Sequence, residues 1–326
     1  MAEIKYRGLS LQCAPGQTVL ERLEADGCAP PSSCRTGQCQ TCLMRAKRGA
    51  VPAQAQVGLK DSWRAQGLFL ACVCCPDQDL EVVDPTEVAP LIEATIVSRE
   101  RVAPKIWRVR LRPEAAFAYR AGQFVTVVRP SDRLSRPYSL ASVPALDPYL
   151  ELHVQRVQGG KMTQWLCETV QVGDTVQLRG PAGNCFYLAE SSQPLLLVGT
   201  ATGLAPLIGV VRDALNAGHR GPVSLYHGSR NGEGLYLRAE LDALVAKHGN
   251  LRVVRRVLEG ASPDGAEAGS LEDAVFDDKP ALADAKAFLC GAPAFVGKLK
   301  RRLFLAGMSL GSISSDPFES AAPPPS

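Results

Sequence analysis

At 326 residues the chain has room for two or three domains, and 46% hydrophobic with 21% charged residues suits buried cores in each. A net charge of +3 is too small to argue for nucleic acid or a membrane surface as partner. Residues 1–10, MAEIKYRGLS, mix charges without an apolar run, so no signal peptide is expected and the chain is read as cytoplasmic and monomeric.

The first element is a helix at Thr18–Ala25, TVLERLEA. Next comes PSSCRTGQCQTCLMRAKRG, Pro31–Gly49, which holds Cys34, Cys39 and Cys42 within nine residues. A disulfide framework, a zinc site, an iron–sulfur cluster or chance can each be weighed. Eleven cysteines without an export signal argue against disulfides. Zinc usually takes two C-x2-4-C pairs, whereas Cys34-x4-Cys39-x2-Cys42 has the spacing of a plant-type two-iron cluster. Gly37 lets the loop turn tightly and aim N–H groups at the sulfurs. The distant fourth sulfur is assigned to Cys72 in FLACVCC, with Cys74 and Cys75 as alternatives. Cys13, Cys28, Cys167 and Cys185 are isolated and read as small buried hydrophobes. Arg45, Lys47 and Arg48, just past the cluster, can face an acidic partner or simply be solvated.

Asp84–Pro90, with two prolines and no periodicity, reads as a linker. Beyond it Trp107, Val109 and Leu111 alternate with Arg108, Arg110 and Arg112, the pattern of a half-buried antiparallel strand. QFVTVV, YLELHVQRV and TVQLRG follow at short intervals, and together they predict a small β-barrel. Within it RPYSLAS gathers Arg136 for a phosphate, Tyr138 to stack on a flat ring and Ser139 to hydrogen-bond a ring nitrogen. GGKMTQWL (Gly159–Leu166) puts paired glycines before a helix start, a seat for a diphosphate. The apolar stretch Leu195–Val211 is broken by Gly199, Gly203, Pro206 and Gly209, and reads as strand, glycine turn and helix rather than a membrane span. Ala201 holds the middle place of its glycine pattern. PVSLYHGSR, RAELDALVAK, LRVVRRV and KAFLCGAP continue the alternation, which predicts a parallel sheet covered by helices. His153, His219, His227 and His248 show no metal spacing and read as surface or packing residues.

Residues 1–83 resemble a plant-type ferredoxin of β-grasp-like fold, through SCRTGQCQTC and LAC. That resemblance implies a [2Fe–2S] cluster on Cys34, Cys39, Cys42 and Cys72. Gln40 departs from it, because the family carries glycine after the second cysteine. Residues 91–190 resemble the antiparallel FAD barrel of the ferredoxin–NADP reductase superfamily, through AGQF, RPYS, GGKMT and GPAG. Arg136, Tyr138 and Ser139 would then hold the flavin, Gly160, Met162 and Thr163 its diphosphate. Residues 194–318 resemble the same superfamily's Rossmann-like nucleotide domain, through TATGLAP, LCGAP and SSDPF. Gly199, Thr200, Gly203 and Pro206 would form the nucleotide turn, while Cys290 and Gly291 would line the nicotinamide pocket. Asp316 and Phe318 would close the flavin site, and Ser139, Cys290 and Phe318 would meet the reacting centre. Ser229 and Arg230 stand where a 2′-phosphate is recognised, although the resemblance favours NADH over NADPH. The order ferredoxin, FAD, NAD is similar to reductase components of multicomponent oxygenases, including Rieske-type aromatic dioxygenases. An oxygenase is therefore the implied acceptor, with another metalloenzyme, such as a sugar-deoxygenation partner, or an inactive zinc-binding interaction protein as alternatives. Residues 319–326 read as a disordered tail.

Overall fold

The computed structural model describes residues 1–28, 30–59, 61–85, 91–278 and 282–319. Residues 86–90 of the expected linker and 320–326 of the expected tail lie outside them.

Three sheets follow one another along the chain. The first contains β1 (Ala2–Tyr6), β2 (Leu9–Cys13), β3 (Leu43–Arg48), β4 (Leu68–Leu70) and β5 (Leu80–Val83), in the order β2-β1-β5-β3-β4. β1 and β5 run parallel at its centre, and the other pairs are antiparallel. Period-two alternation buries Ile4 and Tyr6 of β1, and the helix Val19–Ala25 lays Val19, Leu20 and Leu23 on the same core. Its start is a capping box: Thr18 Oγ1 accepts from the Glu21 N–H while the Glu21 carboxylate accepts from the Thr18 N–H. This helix and β3 are the posts between which the cysteine loop is strung.

The second sheet contains β6 (Ile92–Ala103), β7 (Ile106–Pro113), β8 (Phe124–Val128), β9 (Ser135–Ser139), β10 (Leu150–Gln155) and β11 (Thr175–Ala182). Its order is β10-β7-β6-β11-β8-β9, antiparallel throughout. A bridge between Leu140 and Leu152 joins the continuation of β9 to β10 and closes the sheet on itself. Val109 and Leu111 point into the barrel as their alternation predicts. Of the intervening arginines, Arg108 pairs with Glu100 and Arg110 with Glu151.

The third sheet contains β12 (Leu195–Thr200), β13 (Val223–Ser229), β14 (Leu251–Val257), β15 (Glu267–Ala268), β16 (Lys286–Gly291) and β17 (Ile313–Pro317), all parallel, in the order β15-β14-β13-β12-β16-β17. The helices Leu204–Asn216 and Arg238–Lys247 share a core on one face, and Leu271–Asp277 and Pro293–Leu305 a core on the other. The chain builds outward from β12 to β15, then returns to place β16 on the opposite side of β12. That reversal is the switch point where open parallel sheets bind ligands. The helix Leu204–Asn216 is apolar on nearly every side because the sheet covers one face and the barrel another; Ile106, Ala141 and Cys185 of the barrel belong to its core. Gly209 lets the helix lie close there, since a Cβ would stand 3.0 Å from the Leu140 carbonyl oxygen and 3.2 Å from that of Ala141 and would press on both. No helix among the described residues is long and apolar enough to cross a membrane.

Candidate functional site

A cavity of about 780 Å³ opens where the three sheets meet. Its walls come from all three: Ser33, Cys34, Gln38 and Cys39 from the cysteine loop, Arg136–Ser139 from β9, and Gly159–Thr163 from the paired-glycine segment. The turn after β12 contributes Thr200, Ala201 and Thr202, the end of β16 contributes Gly291 and Ala292, and Asp316–Glu319 complete the wall. The volume is that of a site for one large ligand. Among the described residues, two hydroxyls of this wall are buried without a partner, those of Tyr138 and Ser33, as expected where a polar ligand completes the hydrogen bonding.

The cysteine loop holds its sulfurs in two pairs. The Cys34 sulfur accepts from the Thr36 and Cys39 N–H groups, both at 3.4 Å, and shares a proton with the Cys39 thiol. These contacts, the Cys39 thiol first, draw the Cys34 pKa down to about 4 and push that of Cys39 up. Cys42 and Cys72 form the second pair, with Cys72 lowered by the Cys42 thiol and by the N–H of Gly37. Gly37, at φ +78°, aims that N–H inward as the loop reading expects. Among the described residues no three His, Cys, Asp or Glu side chains converge on one metal-ion position. Two sulfurs on each of two metals is the arrangement a two-iron cluster needs, and the residues fit it. The Cys75 thiol is engaged elsewhere, donating to the Gly16 carbonyl at 3.4 Å, and the Cys74 side chain packs in the core of the first sheet. Gln40 adopts φ +56°, so the backbone does take the conformation for which glycine is favoured; its Nε2 donates to the Gly58 carbonyl at 3.0 Å. Arg45 Nε donates to the Gln66 carbonyl, and Lys47 and Arg48 share Glu81 at 3.1 and 3.6 Å.

On the barrel side Ser139 Oγ donates to Asp316 Oδ2 at 3.0 Å, linking β9 to β17. Burial lifts the Asp316 carboxyl to about 6, against the lowering by the Ser139 hydrogen bond. The Phe318 N–H donates to the Gly291 carbonyl at 2.7 Å and brings its ring into the wall. Gly160 and Met162 line the cavity. Thr163 Oγ1 is used locally, accepting from the Val157 N–H and donating to the Gly160 carbonyl, so it braces the segment that its neighbours present.

Of the nucleotide-turn residues, Thr200 lines the cavity, whereas Gly199, Gly203 and Pro206 shape the turn behind it. Gly291 lines the cavity at φ +129°, where a Cβ would lie 2.3 Å from Thr200 Oγ1. Cys290 does not line it: its sulfur sits in the core, 3.4 Å from that of Cys185, and burial raises its pKa. Ser229 and Arg230 lie outside the cavity at the end of β13, with Arg230 3.8 Å from Glu259.

His153 and His227 are not surface residues. His153 is buried in the cavity wall, its Nε2 3.1 Å from Glu151 Oε1 and its Nδ1 2.9 Å from the Tyr236 hydroxyl. Glu151 also takes Arg110 Nε at 2.7 Å; although burial raises its pKa, His153 and Arg110 together bring it down to about 2. The Tyr236 ring meets the rings of His153 and His227 edge-on, with centroids 5.2 and 5.6 Å apart. His227 Nε2 lies 3.1 Å from the Ala201 carbonyl and fastens the turn, in which Ala201 takes φ +48°. Burial lowers the His227 pKa to about 4, so the ring is neutral and donates from Nε2. This chain of side chains connects the barrel wall to the nucleotide turn. The sequence hides it: Glu151 and His153 alternate with Leu150, Leu152 and Val154 and so carry the pattern of a solvent-facing side, yet both are buried.

Three family models match in the order of the three sheets: a 2Fe-2S iron-sulfur cluster binding domain at residues 3–77, an oxidoreductase FAD-binding domain at 89–187 and an oxidoreductase NAD-binding domain at 197–301. Over 309 residues the chain is 34% identical to the ferredoxin–NAD(P)+ reductase component of a Pseudomonas putida naphthalene 1,2-dioxygenase system, covering 93% of this chain and 94% of that one. It is 36% identical over 307 residues to an Amycolatopsis aromatic O-demethylase reductase subunit, covering 90% and 91%. The solved structure of the Amycolatopsis cytochrome P450 reductase GcoB superposes with a TM-score of 0.72 at 33% identity, over 99% of this chain and 100% of that one. Fold and site thus define an oxidoreductase that uses NAD(P)H, FAD and a [2Fe–2S] cluster. The chain belongs to the ferredoxin–NADP reductase superfamily, in the branch that carries an N-terminal plant-type ferredoxin domain.

Proposed function

We propose that the protein takes hydride from NADH onto FAD and passes electrons through its cluster to a separate oxygenase component. The observation that carries this reading is the single cavity lined jointly by the cysteine loop, the flavin motifs and the nucleotide turn. FAD, when bound, accepts an electron pair as hydride and gives electrons up singly, while the cluster carries one at a time. Residues 1–83 serve as the outlet, 91–190 as the flavin seat and 194–318 as the donor site, with 84–90 as linker and 319–326 as tail.

In this reading Cys34, Cys39, Cys42 and Cys72 hold the cluster. Arg136, Tyr138 and Ser139 hold the flavin, with Gly160, Met162 and Thr163 at its diphosphate. The Tyr138 hydroxyl, buried without a protein partner, suits such a ligand. Ser139 Oγ and Asp316 Oδ2 form a proton relay at the cavity wall, with a carboxyl near 6 able to take up or release a proton at neutral pH. Phe318 shields that wall from water. Thr200 and Gly291 present the nicotinamide, with Gly199, Gly203 and Pro206 shaping the turn behind them. Cys290 acts through the strand end that it anchors against Cys185.

For the donor, Glu259 beside Arg230 supports NADH: a carboxylate at the ends of these strands suits a ribose hydroxyl and repels a 2′-phosphate. For the acceptor, the naphthalene dioxygenase and aromatic O-demethylase relatives support an oxygenase that acts on aromatic compounds. Anaerobic titration with NADH and then NADPH, followed by visible absorbance and low-temperature EPR, tests both halves. Flavin bleaching with a reduced [2Fe–2S] signal at lower NADH than NADPH concentration is expected. Bleaching without a cluster signal in iron-loaded protein would remove the outlet.

A further inference from the structure

Arg136 belongs to β9 of the barrel, yet its guanidinium reaches the cysteine loop. Nη1 donates to the Ser32 carbonyl at 3.3 Å, two residues before Cys34, and to its own strand at the Ser135 carbonyl, 2.7 Å. Nε and Nη2 make no hydrogen bond to protein among the described residues, and Arg136 shares the cavity wall with Cys34 and Cys39. No carboxylate lies within ion-pair distance of it among the described residues. The other arginine at the loop differs: Arg35 is neutralised by Glu24 through two hydrogen bonds of 3.0 and 2.6 Å. Arg136 is therefore a half-buried, uncompensated positive charge at the seam between the two redox domains. Burial lowers its pKa, and the Tyr138 hydroxyl first and the Cys39 sulfur second work in the opposite sense.

Such a charge favours whichever neighbour gains negative charge. Reduction adds one electron to a cluster already made anionic by its thiolates and sulfides, and the low-dielectric seam screens poorly. We propose that Arg136 serves both redox centres at once, its guanidinium raising the reduction potential of the [2Fe–2S] cluster while its free nitrogens hold the flavin. Occupancy of the flavin seat would then be coupled to cluster potential through one side chain, because flavin phosphates drawn to Arg136 offset part of the charge that the cluster feels. The inference rests on the placement of cluster and flavin proposed above.

The test is an EPR-monitored potentiometric titration of the cluster in holoprotein and in FAD-stripped protein, for wild type, Arg136→Gln, Arg136→Lys and Arg35→Gln. Arg136→Gln should make the cluster harder to reduce by about tenfold in equilibrium constant, which is 59 mV for a one-electron couple. The shift should persist without FAD, where the flavin cannot be its cause. Arg136→Lys, which keeps the charge but loses the planar fork, should stay within about threefold of wild type. A purely structural role predicts instead that Gln and Lys fail alike. Arg35→Gln should move the potential less than Arg136→Gln. An unmoved potential in FAD-stripped Arg136→Gln would overturn the proposal, as would a shift seen only with FAD bound. Absence of any cluster signal in wild type would remove the two-centre reading itself, which is a distinguishable result.

Discussion

The two seams of the molecule are built differently. Between barrel and nucleotide domain, Ile106, Ala141 and Cys185 share a core with the helix Leu204–Asn216, and Gly209 lets that helix touch barrel carbonyls. Arg212 clamps Asp147 through two bonds of 2.9 Å, and Tyr236 reaches across to His153. Between ferredoxin domain and barrel, the cores stay separate. There Arg136 reaches Ser32, and a void of about 10 Å³ lies among Gln40, Trp63 and Arg179. Hydride transfer requires the reacting atoms within roughly 3–3.5 Å, so the donor seam must be stiff. A single electron tunnels through intervening protein, and the outlet seam can be looser.

The largest expected effect isolates the outlet. Cys39→Ala should abolish the cluster EPR signal and acceptor reduction, while bleaching of the flavin by NADH stays within about twofold. Cys74→Ala, at a side chain buried in the core beside Cys72, should keep the cluster; loss of signal in both variants would reopen the choice of fourth ligand.

Asp316 probes the stiff side through pH. Its carboxyl sits near 6 in the folded chain against an ordinary 3.8, so the folded form holds its proton longer than the unfolded form. The resulting stabilisation is complete below about pH 4 and is lost as pH rises through 6. A displacement of that size is worth about 3 kcal/mol. Denaturant unfolding of FAD-stripped Asp316→Asn should therefore lack most of the stability decline that wild type shows between pH 4 and 7; parallel curves would contradict the burial argument.

Tyr236→Phe removes one hydroxyl and keeps the ring. It leaves His153 Nδ1 without its hydrogen-bond partner, a loss of about 1–2 kcal/mol, and flavin reduction by NADH should slow by roughly tenfold. Dithionite reduction of the cluster should not change. Smallest is Gln40→Gly at the loose seam: relief of a left-handed non-glycine residue opposes loss of its bond to Gly58, so the unfolding free energy should shift by less than about 1 kcal/mol in denaturant titration.

Much of the outlet was legible because its parts are local. Three cluster cysteines lie in one loop, and Cys72 sits in a recognisable LAC. The flavin and nucleotide turns likewise advertise themselves through glycines that tight backbone approach demands. What stayed hidden was built from residues far apart in the chain. His153 and Tyr236 are 83 residues apart and Ser139 and Asp316 are 177 apart. A lone buried polar residue looks like packing until its partner is placed. β17 carries little β-pattern, since two serines, an aspartate and a proline follow its one apolar residue, and its sequence shows only as a motif. Cys290 was expected in the pocket, but the pleat turns its side chain toward Cys185 and leaves Gly291 in the wall. Ser33 carries no sequence signal of its own beside Cys34, yet its buried hydroxyl belongs to the cavity wall.

The order of the electron path is tested most directly by adding NADH anaerobically to iron-loaded protein with and without FAD and freezing for EPR. A reduced [2Fe–2S] signal with FAD present and none without it is the predicted result. Cluster reduction by NADH in the FAD-free protein, or bleached flavin beside a silent, fully loaded cluster, would contradict it.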